Sequence, residues 1–116
     1  MGKKVVMLVR QEGLGSVAAE DRPFALEMLD RFLHTLESQA VKPQAICFYT
    51  EGVKLACDGS PLLFSLRLIE RMGVRLVICT SCLEYFRLRD RIAVGEIGSM
   101  TDIVRLMMEA DSVVTV

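Results

Sequence analysis

Five short apolar runs, at residues 4–9, 45–49, 74–79, 92–97 and 112–116, alternate with four stretches whose apolar residues recur at helical spacing. No other feature limits the possible folds as strongly. Runs of about five branched residues have the length of buried strands, and a helix between successive strands is the crossover that parallel pairing requires. The order β-α-β-α-β-α-β-α-β therefore predicts an α/β fold with a five-stranded, mainly parallel sheet and helices on both faces. Ligands in such sheets bind beyond the carboxyl ends of the strands. Residues 13–16, 50–59, 79–82 and 95–99 are expected to meet there.

Local signals set the element boundaries. Phe24, Leu29, Phe32, Leu33, Leu36 and Ala40 follow the helical period, with Asp21 or a neighbour as the N-cap and Pro43 at the exit. Ser60-Pro61 has the form of a helix start, and Gly73 that of a C-terminal cap. Between them Leu62, Leu63, Phe64, Leu66, Leu68, Ile69 and Met72 cover most of a helix circumference, which calls for cover on two sides and so for a subunit interface. Ser99 or Thr101 caps a last helix carrying Ile103, Val104, Leu106, Met107 and Met108.

A chain of 116 residues without a linker, repeat or low-complexity tract is expected to form one domain, residues 1–116. A net charge of −1 leaves no electrostatic footprint for nucleic acid. The mean hydropathy is high at +0.38, yet no apolar run approaches the ~20 residues needed to cross a bilayer. The apolar run behind Lys3-Lys4 is too short for a signal peptide, and Val6 breaks a myristoylation pattern. A cytoplasmic protein with no membrane partner is expected, its surplus of apolar residues serving subunit contacts.

The chemistry concentrates where the third strand gives way to a helix, at Val77-Ile78-Cys79-Thr80-Ser81-Cys82-Leu83-Glu84. Ser81-x-x-Glu84 has the form of a capping box, with Cys79 as the last strand residue and Cys82 in the first helical turn. The free amides of a helix start lower a thiol's pKa, whereas the Glu84 carboxylate opposes ionisation. The C-x-x-C spacing fits a dithiol redox motif, a persulfide carrier with a resolving thiol, or half a metal site. Lys54, in the loop after the second strand, is a candidate counter-charge. Cys47 falls inside a strand pattern and Cys57 lies apart, so the spacing argues against a four-cysteine zinc site. Neither a metal nor a cofactor is expected. Gly13-Leu14-Gly15-Ser16-Val17-Ala18 matches a dinucleotide fingerprint in letters only, because the strongest helical pattern starts after Pro23. His34 stands mid-helix with no sequence-local serine or acid arranged as a triad.

Gly52-Val53-Lys54-Leu55-Ala56, Gly59-Ser60, Cys79-Thr80-Ser81-Cys82-Leu83-Glu84-Tyr85-Phe86, Ala93-Val94-Gly95-Glu96 and Met100 together resemble the DsrE-like family. The nearest branch is the C-terminal domain of YedF-type proteins, which are sulfurtransferase-like and linked to selenium metabolism. The resemblance implies a three-layer α/β/α fold and homo-oligomers, trimer-based or dimeric. It also implies a persulfide carrier of sulfur or selenium, exchanging with donor and acceptor proteins in a sulfur relay. Cys79 matches the persulfide position and Cys82 the second cysteine, with Gly52, Lys54, Thr80 and Ser81 supporting the anion. A non-catalytic small-ligand-binding or assembly module is the alternative. A carrier-like N-terminal domain, common in YedF-type proteins, is not expected here, and the glycine-rich first loop, with Ser16 and Val17, departs from the G-x-G-D type of that branch.

Overall fold

The structure, a computed structural model, describes residues 2–116. Five strands, β1 (Val5–Val9), β2 (Ala45–Phe48), β3 (Arg75–Cys79), β4 (Glu96–Gly98) and β5 (Ser112–Thr115), form one sheet in the order β4-β3-β2-β1-β5. Every pairing is parallel. Helices α1 (Arg22–Glu37), α2 (Leu63–Arg71), α3 (Thr80–Tyr85) and α4 (Met100–Glu109) supply or accompany the crossovers. Strand order advances one way from β1 to β4 and then jumps back to β5. Right-handed crossovers therefore put α1 and α2 on one face and α4 on the other.

The three central strands carry apolar residues on both faces because both are covered. All of Ala45–Phe48 is buried, as are Val6, Met7, Leu8 and Val9 of β1 and Leu76, Val77, Ile78 and Cys79 of β3. Each such aliphatic side chain contributes about 1.5–3 kcal/mol on burial. On α1 the inward residues are Ala25, Leu29 and Leu33, spaced four apart, while Phe24 points outward and is 61% exposed, against the expectation that it belonged to the core face. Ser65, buried on α2, donates its hydroxyl to Asp30 Oδ1 at 2.6 Å and meets His34 Nε2 at 3.0 Å. These polar groups join α1 to α2. The serine, 2% exposed, is enclosed in that joint.

Several boundaries differ from the sequence reading. Asp21 occupies the N-cap of α1 without a side-chain bond, and Pro23 in the first turn is what starts the helix. Ser60 does act at the head of α2, taking the Leu62 amide at 3.1 Å, but α2 proper begins at Leu63. Gly73, at φ +95°, turns the chain from α2 into β3. Ser99 and Asp102 form a reciprocal capping box on α4. Gly95 was expected at the carboxyl edge. Its amide instead donates to the Glu70 carboxylate near the end of α2, at the opposite edge, and only Gly98 and Ser99 of that segment reach the carboxyl side. Among the described residues, no helix is long and apolar enough to cross a membrane.

Candidate functional site

The strand-to-helix junction carries Cys79 and Cys82, and the two thiols have different surroundings. Cys79 ends β3, pairs in register with Gly98 and is 0% exposed. The chain turns into α3 at once: Thr80 is its first residue and Cys79 its N-cap. The capping box expected from Ser81 and Glu84 is absent, because the helix starts two residues earlier and Glu84 pairs with Arg89 at 3.2 Å. Cys82 thus occupies the third helical position. N-cap and third-position side chains face each other across the first turn, the geometry a capping box uses, and here they are the two thiols.

Of the four thiols only Cys82 is not buried. It sits half-buried in an apolar concavity of about 250 Å³ lined by Thr50, Ser81, Tyr85 and Phe86. The backbone amide of Thr50 donates to Cys82 Sγ at 3.0 Å. Sequence reasoning missed Thr50. It follows β2 and opens the 3-10 segment Thr50–Ala56, with a positive φ of +47° that a β-branched residue rarely adopts. Its hydroxyl donates to the Arg10 carbonyl at 2.8 Å, so the ends of β1, β2 and β3 are tied together beside the sulfur. Such a strained position clusters at functional sites and costs about 1–3 kcal/mol. The only sequence signal was a threonine directly after a strand at the ligand edge.

Burial, followed by the contact with Cys79, pushes the Cys82 thiol above its ordinary pKa, and the Thr50 amide pulls it partly back. The expectation of a lowered thiol pKa at this helix start is therefore overturned. A six-residue helix offers little dipole, and enclosure outweighs it. Cys82 is a neutral thiol at rest that must lose its proton before it attacks.

The other residues singled out in the sequence have structural partners. Lys54 Nζ lies 4.4 Å from the centre of the Phe86 ring and 3.7 Å from Glu51, so the cation braces the rim of the Cys82 concavity rather than touching the sulfur. Thr80 donates its hydroxyl to the Gly98 carbonyl at 3.1 Å, joining α3 to β4, and Ser81 is exposed on the rim. Gly52 is buried with its Cα against the Val9 carbonyl, where no side chain fits. The loop expected after β2 is thus, over Thr50–Ala56, a packed 3-10 segment against the end of β1.

Cys47 lies in the centre of the sheet, and burial raises its thiol pKa to about 11. Cys57 is buried, gives its thiol hydrogen to the Val53 carbonyl at 3.3 Å, and is pushed up chiefly by burial. Residues 13–16 and 50–59 do approach one another. Glu12 and Arg22 line both of two adjoining grooves, one completed by Gly13, Ser16 and Glu51 and the other, about 440 Å³, by Lys54, Asp58 and Ser60. Among the described residues, no three His, Cys, Asp or Glu side chains are grouped as a metal site requires.

Comparison with known proteins bears on the fold. The family described as DsrE/DsrF-like matches residues 4–116. Among solved structures, the ychN protein from E. coli is similar at 15% identity and a TM-score of 0.69, over 99% of this chain and 100% of that one. MTH1491 from Methanobacterium thermoautotrophicum, a protein of unknown function, is similar at 16% identity and a TM-score of 0.73, over the same shares. No curated protein matches the chain.

Proposed function

We propose that this chain, which belongs to the DsrE/DsrF-like family, carries sulfane sulfur or selenium as a persulfide on Cys82. One observation carries the reading. At the ligand-binding edge of the sheet a single thiol reaches an open apolar concavity, with a backbone amide aimed at its sulfur. In sulfur transfer a thiolate attacks the outer sulfur of a donor persulfide; the new S–S bond forms as the donor's own S–S bond breaks, and the donor thiolate leaves. The Thr50 amide stabilises the Cys82 anion before attack. Tyr85 and Phe86, edge to face with centroids 5.1 Å apart, shield the loaded sulfur from water.

The resemblance puts the persulfide on Cys79, but a fully enclosed sulfur cannot meet a donor, so this reading assigns the cargo to Cys82. Residues 1–116 then act as one sulfurtransferase-like domain, nearest the YedF-type branch, in sulfur relay or selenium metabolism. Donor and acceptor proteins would dock over the Tyr85–Phe86 rim. Exposed Phe64 and Met72 on and just after α2, and Met100, Val104 and Met108 spaced four apart on α4, suit faces of a homo-oligomer. A reducing, cytoplasmic compartment fits a carrier that must keep free thiols.

The test is the intact mass after a brief anaerobic exposure to a small organic persulfide and an immediate acid quench, before cargo can leave. One added sulfur is expected in the parent and in Cys47→Ala, and none in Cys82→Ala. An unchanged mass in the parent overturns the carrier. The alternative, a non-catalytic small-ligand module, has the neighbouring groove of Glu12, Arg22, Lys54 and Asp58 in its favour. It predicts an unchanged mass throughout.

A further inference from the structure

The carrier reading leaves Cys79 without a task, although as the N-cap of α3 it stands across the first turn from Cys82. It cannot load from outside, because it is 0% exposed under the end of β3. It cannot reach the other thiols either, since Cys47 is held inside β2 and Cys57 is engaged with Val53. The one electrophile that can come to it is whatever Cys82 has accepted. Residues three apart at a helix start stand on one face with Cα atoms within disulfide range, so the sulfurs can join without unfolding the helix.

We propose that Cys79 is a built-in discharge thiol, which turns loaded Cys82 into a Cys79–Cys82 disulfide and frees hydrogen sulfide. The proposal rests on the carrier reading and adds a second fate for its cargo, besides hand-over to an acceptor protein. Cys79 gives up its proton and its sulfur attacks Cys82 Sγ. The Cys79–Cys82 bond forms, the bond from Cys82 Sγ to the outer sulfur breaks, and hydrosulfide leaves with the electron pair and takes the proton. The outer sulfur is reduced while Cys79 is oxidised, so the step balances with no outside oxidant. A dithiol reductant then restores both thiols by exchange. Selenium carried at the same place would leave as selenide by the same displacement.

Burial gives this route an order. Cys82 must load first because Cys79 is sealed, and discharge then competes with hand-over to a docked acceptor. The carrier thus delivers when an acceptor is docked and releases sulfide when none comes.

The experiment separates the two claims. The full chain is loaded briefly with inorganic polysulfide under anaerobic conditions, desalted cold at acidic pH, and returned to neutral pH for timed sulfide assay and intact-mass measurement. The parent is expected to lose its extra sulfur, end two hydrogens lighter than the reduced protein, and release one sulfide per loaded chain. Cys79→Ala and Cys79→Ser should keep the extra sulfur and release sulfide at least tenfold more slowly. If the parent holds its sulfur as long as both variants do, the discharge role is overturned and the carrier stands. If neither the parent nor these variants ever gains sulfur, the carrier reading fails and the discharge role falls with it. The serine variant differs by one atom and guards against misfolding as the cause.

Discussion

Replacing Gly52 with alanine tests how the site is built. Gly52 is the third residue of the 3-10 segment Thr50–Ala56, and its Cα lies against the end of β1. A methyl added there would stand 2.9 Å from the Val9 carbonyl carbon and closer still to its oxygen. Ordinary carbon contacts need ~3.5–4.0 Å, so backbone must yield by about 1 Å. Neither side yields easily, because β1 is paired on both edges, to β2 and β5. Overpacking of this kind costs about 1–3 kcal/mol, and loosening the 2.8 Å bond from Thr50 to the Arg10 carbonyl adds about 1 kcal/mol. For a chain of this size the total of about 2–4 kcal/mol lowers the melting temperature by ~8–16 °C. The same displacement draws the Thr50 amide away from Cys82 Sγ and should slow alkylation of Cys82 at fixed pH. The assay is a thermal melt followed by circular dichroism, paired with iodoacetamide kinetics. Gly2→Ala serves as control, since nothing lies within 4 Å of its added carbon. A Gly52→Ala protein melting within about 1 °C of the parent would refute the packing role.

Two further outcomes follow from the thiol environments. Burial raises the Cys47 pKa from 9.0 to about 11. A raised thiol pKa means that the stability it contributes is present below the unfolded value and lost as pH climbs toward the folded one; about 2–3 kcal/mol should therefore vanish between about pH 9 and 11. Urea titrations of parent and Cys47→Val across that range should diverge by this amount, and parallel curves would contradict it. Alkylation of Cys82 should keep accelerating as pH rises past the ordinary thiol pKa, because burial raises its own; a rate that levels off below about pH 8 would show a thiol activated at rest and refute the burial argument.

The architecture was readable in the chain because its strands are short, branched and buried on both faces, leaving the period of the intervening helices as the only competing signal. The capping residues near α4 and Gly73 were equally plain, since each acts through its nearest neighbours. What sequence could not reveal was long-range. Thr50 meets Cys82 across 32 residues, and its role depends on a left-handed backbone that no local pattern announces. The charge of Lys54 marks it as a counter-ion, but whether it faces the sulfur or Phe86 depends on the packing of the 3-10 segment against α3. Gly52 stood out as part of a motif, and its reason is the nearness of Val9. Which of Cys79 and Cys82 reaches solvent depends on where α3 starts, and it starts at Thr80 and carries Ser81 and Cys82 round the first turn together.

The central claim is that the sulfur-bearing atom is the sulfur of Cys82. The most direct measurement is fragmentation mass spectrometry of the tryptic peptide from Leu76 to Arg87, which holds both thiols, after a short anaerobic exposure to limiting organic persulfide and an acid quench. The account predicts the added sulfur on fragments containing Cys82 in parent and Cys79→Ser alike, with peptides bearing Cys47 and Cys57 unmodified. Sulfur found first on Cys79, or spread over all four cysteines, would contradict it.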